Sequence, residues 1–334
     1  MKDATKETSS RPFFSPSVRL LGLVNALGIA ACVLPFFGLA ARLWWVAELT
    51  THFSWYYAIV LPAFLGVALW RRRWRLALAT SAALVIALGS VLPCYLGAND
   101  RSTNLAPEAQ PLRVMSLNVL TANRRYDRTL DLVAQEDPDV IVLLEVDRPW
   151  VEAMSELREH YPFFVERVRA DNFGVAFYSR LEPDAMRTVE FDASEVPSVV
   201  ATFRWQSELV TLIGSHPLPP VSAEQARMRN EHLSAMARFA TSQPGEVIVV
   251  GDLNITPFSP YFRDLLTDGG LRDSGAGGGY QPTWHTRQGW LGLPIDHALH
   301  TPGLVAVGRR VGPRVGSDHR AIIADFALIR GESP

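Results

Sequence analysis

Val247-Ile248-Val249-Val250-Gly251-Asp252-Leu253-Asn254 runs from four apolar, mostly β-branched residues through a glycine into a carboxylate and an amide. A short run with no polar position fits a buried strand, and the polar residues that follow it sit at the sheet edge. Asp252 and Asn254 stand two apart, so in extended backbone their side chains point the same way. The pattern recurs. Asn118 follows Leu112–Leu117, and Glu145 follows the wholly apolar Val140–Leu144. His216 follows Leu209–Ile213 inside Ser215-His216-Pro217, Asp296 opens a strand after Pro294, and Gly316-Ser317-Asp318-His319 precedes the last apolar run. Polar groups at the ends of several buried strands meet at a sheet rim, where pockets form.

Other strand-like runs are Gly174–Tyr178, Val199–Trp205, Ile295–Leu299, Val305–Val311 and Ala321–Leu328, while helical spacing fits Asp127–Gln135, Trp150–Glu159 and Ser222–Ala240. Many strands, few helices and mixed connections predict an α+β domain over residues 112–330. Its expected form is two packed mixed β-sheets flanked by helices, a four-layer sandwich.

Ahead of this domain the sequence is of another kind. Val18–Ala41, Phe53–Trp70 and Leu76–Leu96 are apolar runs near the about 20 residues that cross a bilayer as helix. A buried core helix is the competing reading of each run, and a cleaved signal peptide competes for the first. Three such runs in close succession, with almost no polar face, favour three transmembrane α-helices in a membrane anchor over residues 1–97. Residues 98–111 are a polar, proline-containing tether to the catalytic domain. Arg71, Arg72, Arg73 and Arg75 fill the second connection, which the positive-inside tendency puts in the cytoplasm. The N-terminal tail, with Lys2, Lys6, Arg11 and Arg19, reads as cytoplasmic too. The domain after the third span is then periplasmic or extracellular. Trp44, Trp45, Trp55, Tyr56 and Tyr57 flank the first outer loop as an interfacial aromatic belt.

Composition narrows the chemistry. Cys32 and Cys94 both fall before residue 98, which excludes a cysteine nucleophile and thiolate zinc from the catalytic domain. Of 32 basic and 34 acidic residues, ten and four lie in residues 1–103, leaving a net charge of −8 on the remainder. That balance disfavours, without forbidding, a nucleic-acid partner.

Taken singly, each rim residue also fits a bland role: a turn former, a solvated carboxylate, a satisfied loop histidine. Taken in order, Ser116-Leu117-Asn118, Glu145, Ser215-His216-Pro217, Gly251-Asp252-Leu253-Asn254, Ile295-Asp296-His297 and Gly316-Ser317-Asp318-His319 resemble the endonuclease/exonuclease/phosphatase superfamily. Thr256-Pro257, Ser259-Pro260, Thr283-Trp284 and Pro294-Ile295-Asp296-His297 are similar to its bacterial membrane-tethered branch, with His285 departing from the proline that often follows the tryptophan.

The resemblance implies an enzyme that hydrolyses phosphoester bonds with Mg²⁺, or alternatively Mn²⁺. It implies Asn118 and Glu145, joined by Asp318, as metal ligands, His319 paired with Asp296 as base or phosphate clamp, His216 and Asn254 on phosphoryl oxygens, and Asp252 at the nucleophile. Hard oxygen ligands suit such cations. His297, next to Asp296 on a strand, faces the other way and stays outside the site. Arg124 or Arg229 is a candidate grip on a second phosphate, although a solvated charge is the plainer reading of each. Tyr280–Leu293, with Trp284 and Trp290, reads as a substrate-facing loop able to touch lipid. The expected substrate is a lipid or other envelope-associated phosphoester. The alternatives are an extracytoplasmic nuclease on DNA or RNA and a non-catalytic membrane scaffold.

Overall fold

Apolar runs from both halves of the catalytic domain become the middles of two sheets in the computed structural model, which describes residues 16–96 and 110–329. The basic residues Lys2, Lys6 and Arg11 and most of the tether 98–111 lie outside the described residues. The first part comprises α1 (Pro16–Gly38), α2 (Trp45–Thr51), α3 (Ser54–Trp70), α4 (Trp74–Val91) and α5 (Pro93–Leu96). The second part begins with β1 (Leu112–Asn118), α6 (Tyr126–Glu136), β2 (Val140–Leu144), α7 (Arg148–Ala153), α8 (Leu157–His160), β3 (Phe163–Arg167), β4 (Val175–Ser179), β5 (Pro183–Glu190), β6 (Pro197–Trp205) and β7 (Glu208–Gly214). It continues with α9 (Ala223–Ser242), β8 (Glu246–Asp252), α10 (Pro260–Asp268), β9 (Arg272–Asp273), β10 (Asp296–His300), β11 (Leu304–Val311) and β12 (Ile322–Leu328).

Among the described residues these strands form two six-stranded sheets, ordered β11-β12-β1-β2-β4-β3 and β5-β6-β7-β8-β10-β9. Each sheet is mixed: β1 runs parallel to β2, and β7 parallel to β8, with antiparallel neighbours outside. The alternation of strand side chains sorts the core into layers. On β2, Val140, Val142 and Leu144 face the other sheet with Phe177, Phe203, Leu212, Ile248 and Val250, while Ile141 and Leu143 turn outward onto α6 and Trp150. Ile213, Val247 and Val249 likewise turn outward onto Leu233 and Met236 of α9 and Phe262 of α10. The expected sandwich is present, with helices outside both sheets.

Local chemistry fixes the ends. Ser222 caps α9 by accepting from the Gln225 amide, Asp147 caps α7 by accepting from Trp150, and Ser259 with Pro260 opens α10. At Gly251, φ is +146°, and a Cβ would lie 1.9 Å from the Ser215 carbonyl oxygen of the neighbouring strand end. No other residue fits there, which accounts for the glycine before Asp252. Edge strands β3, β5 and β9, together with α2 and α10, were not expected from the sequence. The helix expected over Trp150–Glu159 is broken into α7, a 3₁₀ turn and α8.

The helical part departs further from expectation. Among the described residues α4 alone is long and apolar enough to cross a membrane; α2 and α3 qualify as a pair bent by 66°, and Ala26–Gly38 of α1 is apolar but shorter. α1, α3 and α4 pack on Ala31, Tyr57, Leu61, Ala83 and Ala87 and leave Ile29, Val33, Leu78 and Val85 exposed. The domain also does not hang free on its tether, because α2, the start of α3 and α5 lie directly against it. Arg42 makes a two-pronged bond to Asp264 at 2.6 and 2.7 Å, and the Cys94 carbonyl accepts from Gly279 at 2.8 Å.

Phe203, wholly buried between the sheets, reports on the core. Phe203→Ala is expected to destabilise the chain by about 3–5 kcal/mol, read as a lowered unfolding midpoint. An unchanged midpoint would contradict this packing.

Candidate active site

Asp252 is the centre of the rim. Pairing of β8 with β10 sets it opposite Asp296, and the parallel pairs β1–β2 and β7–β8 bring Asn118 and Gly214 to the same edge. Asp252 Oδ2 accepts from Asn118 Nδ2 at 3.1 Å and lies 3.3 Å from His216 Nε2 and 3.5 Å from His319 Nε2. Oδ1 accepts from the Asn254 amide at 3.1 Å. Asn118 Nδ2 also donates to Glu145 Oε1 at 2.8 Å, and His319 Nδ1 meets Asp296 Oδ2 at 2.9 Å. The sequence-expected His216, Asp252, Asn254, Asp296 and His319 thus share one rim with Asn118 and Glu145.

Supporting contacts tie the motifs together, and the sequence reading missed them. Ser317 Oγ donates to the Asn118 carbonyl at 2.7 Å and accepts from the His319 amide at 3.0 Å, linking the first motif to the last. Thr121 donates its hydroxyl to the Glu145 carbonyl at 2.8 Å. Thr283 Oγ1 receives the amide of Asp296 at 3.3 Å. Ser317 and Thr283 stand inside quoted motifs and Thr121 three residues after Asn118, but no sequence pattern assigns their bonds.

Burial and charge oppose each other in the two imidazoles. Burial alone depresses His319, but Asp296 and then Asp252 overcome it and lift its pKa from 6.5 to about 10. His216 is raised too, against burial, by Asp252 and Glu145. Burial pushes Asp252 up, yet the two imidazoles and the Asn254 amide hold it far below the ordinary carboxylate range.

Asp252, Asp296 and His319 each offer a ligand atom within 4.8 Å of one another, and Asp296 Oδ1 is buried with no protein partner. Asp252 and Asp296, with Glu145 beside them, supply hard oxygens that suit a divalent cation, while the imidazolium of His319 offers it no lone pair. The trio expected to hold metal is assembled only in part. Asn118 and Glu145 touch, while Asp318 accepts from Trp284 Nε1 at 3.0 Å.

The expected substrate contacts divide. Trp284 flanks the site, its ring 6.3 Å from that of His319, and Trp290 is 63% exposed. Arg124 is half exposed and bound to Asp147 at 3.0 Å. Arg229 does not face the pocket: it is wholly buried against Glu48 at 2.6 Å, so it cannot grip a phosphate. His297, as expected, turns away to the Ile255 carbonyl at 2.8 Å.

In the metal-free protein the His319 ring is expected to stay protonated at neutral pH. A histidine raised on folding adds stability in full below about pH 6.5 and loses it as pH rises through about 10. Asp296→Asn should bring the titration down, followed by imidazole NMR; an unshifted ring titrating near 6.5 in the parent chain would contradict the pairing.

No curated protein matches the chain. Solved structures do match: D. rerio TDP2 complexed with a single-strand DNA product, at 17% identity and TM-score 0.56, covers 66% of this chain and 100% of its own. The 3′ phosphatase NExo from Neisseria, bound to a product DNA hairpin, is 22% identical with TM-score 0.53 over 65% of this chain and 100% of its own. An endonuclease/exonuclease/phosphatase from Beutenbergia cavernae is 21% identical with TM-score 0.53 over 66% and 72%. These likenesses establish the fold. The sequence profile of the Endonuclease/Exonuclease/phosphatase family matches residues 115–319, more than half the chain and every rim motif, and the chain belongs to that family of phosphoester-hydrolysing enzymes.

Proposed function

We propose that this hydrolase is a multi-pass protein of the bacterial inner membrane that uses Mg²⁺, or alternatively Mn²⁺, to cleave a lipid or other envelope-associated phosphoester outside the cytoplasm. One observation carries the reading: the loop that flanks the catalytic rim is fastened to the apolar helices. Trp55, at the start of α3, stacks on Tyr280 with centroids 4.2 Å apart and meets Trp290 edge-on at 5.8 Å. Tyr56 donates its hydroxyl to the Leu291 carbonyl. Trp290 and Leu291 stay exposed beside them, as an interfacial contact needs. The exposed aliphatic surface of α1, α3 and α4 over an alanine-rich contact is the arrangement of helices in lipid, and supports three spans.

Contacts between the two parts agree with the same topology. Arg42 and Glu48 both bond to the catalytic domain, so the first loop and that domain share a side. Arg71, Arg72 and Arg73 turn the chain at the opposite end of α3 and α4. The positive loop then lies in the cytoplasm and the catalytic domain outside.

The residues divide the work. Asp252, kept ionised by its donors, orients the attacking water as an acceptor. His216 and Asn254 donate to phosphoryl oxygens. His319, with Nδ1 committed to Asp296, presents Nε2 to the same space and either clamps the phosphoryl group or moves a proton. Glu145 and Asn118 would hold the cation, which when bound offsets the charge that grows on those oxygens. A retired scaffold has no support, since Asn118, Glu145, His216, Asp252, Asn254, Asp296 and His319 share one rim. The nuclease reading draws on the DNA-bound neighbours, and the charge of −8 weighs against it.

Chelator and Glu145→Gln are each expected to abolish most activity with the fold intact; full turnover in either would refute the cation's role. Mixed phospholipid micelles should be turned over with Mg²⁺ and short DNA duplexes should not, and Trp290→Ala should weaken micelle turnover. DNA cleavage without lipid turnover would leave the nuclease reading. A reporter fused after Pro334 should be active only if it works outside the cytoplasm, and activity confined to the cytoplasm would invert the topology.

A further inference from the structure

Between Glu7 and Asp100 the sequence holds a single acidic residue, Glu48. It lies in α2, fully buried, and its carboxylate is spent on the catalytic domain. Oε2 accepts from Arg229 Nη2 at 2.6 Å and Oε1 from Ser259 Oγ at 2.8 Å. Arg229 is equally buried, and its other nitrogens donate to Asn230 Oδ1 and to the main-chain oxygen of Asn254, each at 2.8 Å. A guanidinium cut off from water requires an opposite charge in contact, and Glu48 supplies it.

What Arg229 holds is a rim residue. Asn254 adopts a left-handed backbone, φ 51°. Its conformation is set from three directions: its amide donates to Asp252, its Nδ2 donates to the Pro217 carbonyl at 2.9 Å, and its own carbonyl takes the Arg229 bond. The loop beyond is held from the helical part twice more, by Ser259 on Glu48 and by His52 Nδ1 against Thr256 Oγ1 at 2.9 Å. Left-handed residues other than glycine persist where their surroundings over-determine them.

We propose that Glu48 is a positioning residue of the active site: by keeping Arg229 charged and in place, it fixes Asn254, so the helical part completes the catalytic loop. The inference rests on the phosphoesterase reading of the rim and is independent of a lipid substrate. The competing role is glue between two parts of the chain, and the two differ in kinetics.

The test uses the full chain in nanodiscs, with Mg²⁺ and the soluble diester bis(4-nitrophenyl) phosphate. Glu48→Gln should lower kcat by about tenfold or more while moving KM less, as expected when a reacting group is displaced by a fraction of an ångström. Glu48→Asp, which keeps the charge, should recover part of the loss. The double variant Glu48→Leu with Arg229→Met replaces the pair by apolar groups. It should melt near the parent temperature yet keep a low kcat, because no donor reaches the Asn254 carbonyl. Parental kcat in the double variant, or in folded Glu48→Gln, would overturn the proposal in favour of glue. If Glu48→Gln does not fold, the kcat of the double variant decides; if that variant does not fold either, the pair is structural glue and the proposal falls. Arg42→Ala, which breaks the exposed docking contacts with Asp264 and Tyr261, should keep the parental kcat. A parent chain that cleaves the diester but no lipid removes the lipid reading alone, and one inert on diester, 4-nitrophenyl phosphate and lipid alike removes both.

Discussion

A carboxylate taken out of water must be surrounded by donors, and Asp252, 1% exposed, is the one on which the site depends. Its partners come from four separated stretches of chain: Asn118, His216, Asn254 and His319. The sandwich makes this meeting possible, because parallel neighbours in each sheet end at the same edge and β10 and β12 begin there. Misplacing any one of those strand ends would leave a buried charge short of a partner. The order of short motifs along the sequence is the trace of this requirement.

A second buried charge extends the same logic beyond the family fold. Arg229 belongs to α9 of the catalytic domain, but its counter-charge belongs to α2, 181 residues earlier. The rim that carries the chemistry is therefore the rim that meets the apolar helices, through Glu48, His52, Trp55 and Tyr56. A catalytic domain merely tethered through residues 98–111 would turn freely. Docked this way, it presents one face, and the loop carrying Trp284 and Trp290 lies between pocket and helices. For a substrate that never leaves a bilayer, such a geometry shortens the path; for a long polyanion, the net charge of −8 offers little attraction.

Much of this was legible in the sequence for identifiable reasons. Strands buried on both faces, such as β2 and β8, leave uninterrupted apolar runs, and a polar residue just after such a run can only sit at the rim. The strands that escaped notice are edges: β5 keeps only Pro183, Met186 and Val189 half-buried and exposes the residues between, and β9 has two residues. The cap Ser259 followed by Pro260 did announce α10, though its family resonance overshadowed its plain meaning as a helix start. Arg229 was misread because helical spacing cannot reveal a partner 181 residues away. The isolation of Glu48 in an apolar region was the available clue. Pairwise contacts across the two parts of the chain have no sequence period, so only the folded arrangement exposes them.

The proposed seating of the catalytic rim against a membrane is read out by depth in a bilayer. A spin label can be carried at Trp290→Cys, beside the pocket, or at Gln206→Cys, in the β6–β7 turn at the far end of the sandwich, with Cys32 and Cys94 replaced by serine. In nanodiscs, collisional relaxation by lipid-soluble oxygen should exceed that by a water-soluble nickel chelate at position 290, and the reverse should hold at 206. Equal, wholly aqueous exposure at both positions would contradict the account.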